Sequence, residues 1–247
     1  MSGGEVKPLV SVIIPHYGGE EIIHECLESL INTDYQELEI IVVNNNSPDN
    51  SVILVKNSFP NVNLIQSNFN RGFSGGCNFG AQHATGEYLL ILNNDTVHEI
   101  NWITHLVQHM ESNKNISAVQ PKIKQYKSRD YFDYAGGSGG FMDKYCSPFS
   151  RGRVFNTIEK DEGQYDDPCK IFWASGTAFL TRRTIFEQIG GFDETLFAHM
   201  EEIDYHWKCQ LQGYEIWVDP QSVVYHHGAF TLPNSSPQKT YLNYRNS

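Results

Sequence analysis

Long apolar runs are missing from this chain of 247 residues. No stretch approaches the roughly 20 residues that cross a bilayer, and Met1 to Pro8 hold no apolar signal segment. Cysteine is sparse: Cys26, Cys77, Cys146, Cys169 and Cys209 form an odd set with no CxxC pair. That argues against a disulfide or zinc framework and for free thiols in a reducing compartment. Positive charge is also short, with 18 Lys and Arg against 29 Asp and Glu, a net charge of −11. Nucleic-acid binding through phosphate neutralisation needs a basic face, so it is disfavoured. A nucleotide ligand stays open, because a metal ion can supply positive charge locally. No internal repeat is present. The expectation is a soluble cytoplasmic protein.

What is there suffices for a full core, with 40% hydrophobic and 19% charged residues. The central stretch is Tyr88-Leu89-Leu90-Ile91-Leu92, a continuous apolar run that reads as a strand buried on both faces. It stops at Asn93-Asn94-Asp95. Around it, strands are expected at Leu9 to Ile14 (stopped by Pro15), Glu39 to Val43 and Val62 to Gln66. Helices are expected over Glu20 to Ile31, about Asp49 to Ser58, and from a Gly-rich loop at Asn70 to Gly76 through about Ala84. This alternation with short links predicts an α/β fold, a mostly parallel sheet with helices on both faces. Further on, the pattern predicts a helix over Asn101 to Met110, then a looser region from Lys122 to Asp167. That region reads either as loops or a β-excursion that could line a substrate cleft, or as a surface insertion. Beyond it come a strand over Ile171 to Thr181, helices near Thr184 to Ile189 and Met200 to Gln212, and two strands, Glu215 to Val218 and Val223 to Tyr225. The tail from Leu232 is polar.

In an open α/β sheet, ligands bind beyond the carboxyl ends of the strands. Pro15-His16-Tyr17, Asn44-Asn45-Asn46, the Asn70 to Gly76 loop and Asn93-Asn94-Asp95 should therefore converge on one edge. Glycines at 72, 75 and 76 let backbone approach a sugar or phosphate. Asp95 can hold a hard cation through oxygen. Three carboxylates, Glu201, Glu202 and Asp204, open a helix. Either they complement its dipole, or one of them enters the cleft as a general base. Glu201 and Asp204 share a face at i,i+3. Of the paired His226 and His227, one is a candidate ligand for a Mn²⁺-like ion. Nothing resembles a nucleophile activated for covalent catalysis.

Taken in order, seven segments resemble the family 2 glycosyltransferases of the GT-A fold, closest to their rhamnosyltransferase-like branch. They are Val12 to Tyr17, Val42 to Ser47, Asn70 to Gly76, Leu92 to Thr96, Gly190 to Glu194, Glu201 to Asp204 and Tyr225 to Gly228. The resemblance runs from Val10 to about Phe230. It implies a single Rossmann-like GT-A domain over 9–230, with 9–97 as the nucleotide-binding half and 98–230 as the acceptor-binding half, between tails at 1–8 and 231–247.

The resemblance also implies roles. Pro15, His16, Tyr17, Asn44, Asn46, Asn70, Arg71, Gly72, Gly76, Asn93 and Asn94 would surround a nucleoside-diphosphate sugar of the dTDP-rhamnose or UDP-hexose type. Asn44 stands where the family has a base-recognising Asp, and Asn93 replaces the first acid of its Asp-x-Asp motif. Asp95 and His226, more than His227, would hold a divalent cation, Mn²⁺ or Mg²⁺. Ser175, Gly176 and Asp204 would serve the acceptor, a glycan or lipid-linked saccharide. Glu202, beside Glu201, would be the catalytic base of an inverting displacement. Two other readings stay open. A nucleotidyltransferase would want a basic, Gly-rich loop after the first strand, where Pro15-His16-Tyr17-Gly18-Gly19 stands instead. A non-catalytic nucleotide-sugar or glycan-binding domain would accommodate Asn44 and Asn93. Tyr241 to Asn246 resembles the start of a further helical segment. The chain therefore reads as trimmed or naturally minimal, with oligomeric state and peripheral contact with the inner membrane face left open.

Overall fold

The computed structural model describes residues 7–134, 136–228 and 236–247. Most of the expected N-terminal tail and the expected boundary at residue 230 lie outside the described residues. In chain order the first half comprises β1 (Val10–His16), α1 (Glu20–Ile31), β2 (Leu38–Asn44), α2 (Ser51–Ser58), β3 (Asn63–Gln66), α3 (Gly72–Ala81), β4 (Tyr88–Leu92), β5 (Thr96–His98) and α4 (Trp102–Ser112). Then come β6 (Ile116–Gln125), four short strands β7 (Gly140–Met142), β8 (Pro148–Ser150), β9 (Arg153–Val154) and β10 (Thr157–Ile158), and β11 (Cys169–Ile171). The chain closes with β12 (Ala178–Arg182), α5 (Arg183–Ile189), α6 (Glu201–Leu211), β13 (Glu215–His226) and α7 (Pro237–Asn246).

One nine-stranded sheet organises the chain, in the order β11-β13-β6-β12-β4-β1-β2-β3 with β5 against β13. β1, β2, β3, β4, β6 and β13 run one way, and β5, β11 and β12 the other. The sheet is thus mostly parallel, as the alternating pattern predicts. β4 sits at its centre with every residue buried. Alternation along the strands splits the core in two. Val12, Ile14, Leu90 and Leu92 face α1 and α4, whereas Ile13, Leu89 and Ile91 face α3, α5 and α6.

Several local expectations are corrected. Pro15 does not end β1. Pairing with β4 stops at Ile13, and the ladder bonds to the β2 side come from alternate residues such as Val10 and His16. The Pro15 nitrogen falls on the side where pairing has ended, so its missing donor breaks no bond. Gly75 and Gly76 lie inside α3 rather than in a loop, because the helix needs them bare. A Cβ on Gly76 would come within 2.8 Å of the Asn45 amide and 3.0 Å of Pro15. The strand expected over 171–181 is two strands, with Ser175-Gly176 in the link between them. The two strands expected after 215 are one, whose pairing with β6 shifts register between Asp219 and Val223. The 122–167 region is a β-excursion, but none of its aromatic residues lines the cavity described next. The polar tail forms α7, started by a Ser236 cap and Pro237.

Candidate active site

The carboxyl ends of β1, β2 and β4 open into a cavity of about 490 Å³, a size that suits a small-molecule ligand. Of the residues singled out in the sequence, Pro15, Tyr17, Asn70, Gly72, Asn93, Asn94, Asp95, Ser175, Gly176, Glu201, Glu202 and His226 all line it. Segments far apart in the chain therefore meet, as strand-end geometry requires.

Sheet register accounts for the first polar group. β5 turns back immediately after Asp95 and pairs antiparallel with β13, placing Thr96 opposite His226. His226 Nε2 then lies 3.2 Å from Asp95 Oδ1, and its Nδ1 lies 3.1 Å from Asp133 Oδ1. All three side chains are buried. Burial works against a charged imidazole, yet the two carboxylates hold His226 well above the ordinary histidine value. Burial likewise pushes Asp95 up, and the charge and hydrogen bond of His226 outweigh it, leaving Asp95 below the ordinary carboxylate value. Asp95 and His226 offer an oxygen and a nitrogen donor side by side. Among the described residues, no group of three His, Cys, Asp or Glu side chains could hold a metal ion. The donor set therefore fits a cation completed by ligand oxygens and water rather than one caged by protein.

A strained turn creates the second group. Phe197, His199 and Met200 all have positive φ, at 65°, 70° and 74°, a conformation that costs non-glycine residues energy. The turn is held from two sides. The Phe197 oxygen accepts from the backbone N–H of Phe73 at 2.7 Å and of Ser74 at 3.2 Å, in the first turn of α3. Gly72 permits this approach, since a Cβ there would lie 2.3 Å from the same oxygen. From the other side, Asn246 and Arg245 of α7 donate to backbone oxygens of residues 195–199.

α6 begins directly after this turn, and Glu201 and Glu202 both enter the cavity. Burial drives both carboxyls up, Glu201 well above its ordinary value with repulsion from Glu202 adding to it, and Glu202 to about 6. Backbone hydrogen bonds from Gly176 and Met200 reach Glu202 and restrain the rise. Its Oε2 has no hydrogen-bond partner among the described residues, nor has Glu201 Oε2. One proton shared by the pair would leave Glu202 as the member that ionises first.

Six expected residues stay outside the cavity lining. His16 is buried, with Nδ1 2.8 Å from the Asn94 amide nitrogen, and so orients a residue that does line it. Asn44 is tied into the β2 end, donating to Gln66 and accepting from the Ser47 N–H. Its neighbour Asn45 enters the cavity instead, donating to the Gly72 oxygen at 2.9 Å. Asn46 takes a positive φ of 64° in the same turn. Arg71 stacks on the rings of Phe69 and Phe79, 4.6 Å from each ring centre, and its Nε donates to the Ser67 hydroxyl. Gly76 packs beneath Asn45. Asp204 pairs with Lys208 at 2.6 Å. Sequence reasoning placed Asn45 at the converging strand ends but chose its neighbours Asn44 and Asn46 as site residues, and it missed Asp133 and, from α7, Gln238 and Lys239. For Asn45 the signal was the run of three asparagines after β2. Nothing local marked the others.

The fold is that of the GT-A glycosyltransferases. It matches, with a TM-score of 0.65 at 19% identity, the mannosyltransferase PcManGT from Pyrobaculum calidifontis in complex with GDP-Man and Mn²⁺, covering 90% of this chain and 57% of that one. The chain belongs to glycosyl transferase family 2, whose model matches residues 11–190. An uncharacterized glycosyltransferase of Haemophilus influenzae is 33% identical over 115 residues, 45% of this chain and 36% of that protein. The N-acetylglucosaminyl-diphospho-decaprenol L-rhamnosyltransferase of Mycobacterium tuberculosis is 23% identical over 239 residues, 91% of this chain and 77% of that protein. The chain spans about half or less of the length of the curated relatives it matches first. No helix among the described residues is long and apolar enough to cross a membrane.

Proposed function

We propose that this chain is an inverting glycosyltransferase that moves a sugar from a nucleoside-diphosphate donor, of the dTDP-rhamnose or UDP-hexose type, to a hydroxyl of a glycan or lipid-linked saccharide. The observation that carries this reading is Glu202. It is a half-buried carboxylate whose Oε2 is shielded from solvent and has no partner among the described residues, and it shares one cavity with the Asp95–His226 pair. A carboxyl shifted to about 6 is ionised at neutral pH yet basic enough to take a hydroxyl proton.

In the reaction, Glu202 accepts the proton of the acceptor hydroxyl as its oxygen bonds to the anomeric carbon. The bond from that carbon to the diphosphate oxygen breaks, and its electron pair leaves with the diphosphate. Attack opposite the leaving group inverts the anomeric centre. Asp95 and His226 would hold a divalent cation, which supplies charge neutralisation for the diphosphate. The cavity walls orient donor and acceptor and exclude water. Ser175, in the link before β12, lies on the acceptor side in this reading. Calorimetric titration with UDP, dTDP and GDP, each with Mn²⁺, Mg²⁺ or chelator, tests it. Metal-dependent binding of a pyrimidine diphosphate supports the reading. No binding of any nucleotide removes it in favour of a glycan-binding domain.

A further inference from the structure

We infer that Lys239, from the C-terminal helix, is a diphosphate-binding residue that adds its positive charge to that of the cation at Asp95 and His226. The inference rests on the donor reading above and names a residue that reading does not use.

The cavity has a charge problem. Asp95, Glu201 and Glu202 line it, and Asp133 stands behind His226. A nucleoside diphosphate adds further negative charge to a buried space, where repulsion is poorly screened. Arg71, the basic residue nearest the Gly-rich segment in sequence, stacks on two phenylalanine rings and does not line the cavity. Among the described lining residues, Lys239 is the only Lys or Arg.

Its place is fixed by the helix that carries it. α7 is anchored at its far end, where Arg245 donates to the oxygens of Thr195 at 2.9 Å and Leu196 at 2.7 Å, and Asn246 donates to those of Leu196, Ala198 and His199. These contacts hold the first turn of α7, with Gln238 and Lys239, over the cavity. Lys239 thus shares one cavity with Asp95 and His226, the pair proposed to hold the cation against the diphosphate. A flexible lysine suits this task, because it acts as a point charge with three donors and needs no planar fork.

The test uses the whole chain and compares nucleoside diphosphates with their monophosphates. Lys239→Met keeps length and apolar bulk, and Lys239→Arg keeps the charge. UDP, dTDP and GDP, with UMP, dTMP and GMP, are titrated into each protein in the presence of Mn²⁺. The expected result is a loss of about ten-fold or more in diphosphate affinity for Lys239→Met, as for removal of a charged hydrogen-bond partner. Monophosphate affinity should change much less, and Lys239→Arg should stay close to the unmodified protein. Equal diphosphate affinity in Lys239→Met overturns the inference. So does equal loss of mono- and diphosphate binding, which marks an undocked helix rather than a lost phosphate contact. Failure of the unmodified protein to bind any nucleotide removes the donor reading and this inference together. Thermal unfolding of both variants, expected to match the unmodified chain, shows that α7 remains docked.

Discussion

The side-chain amide of Asn246 donates to the backbone oxygen of His199 at 2.8 Å, joining the end of the chain to the turn that aims Glu202. The same amide reaches the oxygens of Leu196 and Ala198, each at 3.0 Å. A turn with three positive-φ residues persists only when its surroundings over-determine it. Asn246→Ala removes three of the bonds that do so. The loss should be about 1–3 kcal/mol, given that each hydrogen bond contributes roughly 1 kcal/mol net. That corresponds to a fall in melting temperature of several degrees. Transfer activity should fall further than stability implies, because Glu202 is displaced even in the folded protein. Activity and melting temperature measured on one preparation check this. Unchanged turnover at a lowered melting temperature would falsify the link to Glu202.

Glu202→Gln tests the base directly. Gln keeps the shape but cannot take a proton. Removal of a general base costs about 10²–10⁴ in rate, so turnover should drop by that factor. Nucleotide affinity should stay within about two-fold, since Asp95, His226 and Lys239 are untouched. Single-turnover transfer and calorimetry separate the two quantities. A variant that keeps near-normal turnover would place the base elsewhere.

Much of this architecture was legible in the chain because it is written in local pattern. The span of α1 follows from the spacing of Ile23, Cys26, Leu27 and Leu30, all buried. β4 follows from five apolar residues in a row. The strand-end asparagines and Asp95 were found because parallel topology sends strand ends to one edge. What stayed hidden depends on register and docking. Whether Asn44 or Asn45 enters the cavity is a question of side-chain alternation at the end of β2, and a one-residue difference reverses it. Asp133 meets His226 only through the fold of the 126–168 excursion. Lys239 and Asn246 matter only because a polar helix of low apolar content docks through hydrogen bonds to backbone oxygens, an interaction with no hydrophobic periodicity to betray it.

The Glu201–Glu202 pair makes two pH statements. Glu202 faces Glu201 from its own helix, Lys239 from α7, His199 from the preceding turn, and Asp95 and His226 across the cavity. With its carboxyl raised to about 6 chiefly by burial, activity should rise with pH through about 6, as the base ionises. Stability runs the other way. A carboxyl whose folded value lies above its unfolded value of about 4.3 contributes stability that is complete below that value. The contribution is lost as pH rises through the folded value. Glu201, raised further, carries the larger effect. Glu201→Gln never ionises in either state. It should therefore melt higher than the unmodified chain at pH 8 and at nearly the same temperature at pH 4. Calorimetric scans at the two pH values decide it. An equal shift at both would mean that the charge of Glu201 is not what strains the site.

Asp133 offers the sharpest test of the cation site, because it would act on the cation only through His226. It lies 3.1 Å from Nδ1 of His226, whose other nitrogen faces Asp95. A carboxylate there fixes the ring and its tautomer and makes Nε2 a better donor to a metal. Asp133→Asn retains an oxygen that accepts from Nδ1 but loses the charge. Mn²⁺ affinity, read by paramagnetic resonance with a saturating nucleoside diphosphate, should weaken about 10–100-fold, the usual effect of losing such a partner. Asp133→Ala, which also frees the ring, should weaken it more. Nucleotide binding in chelator should change far less than Mn²⁺ binding, because Asp133 does not line the cavity. If Mn²⁺ binds both variants as it binds the unmodified protein, then His226 is not a metal ligand. Asp133 and Asp95 would then serve only to hold a buried imidazolium between two strands.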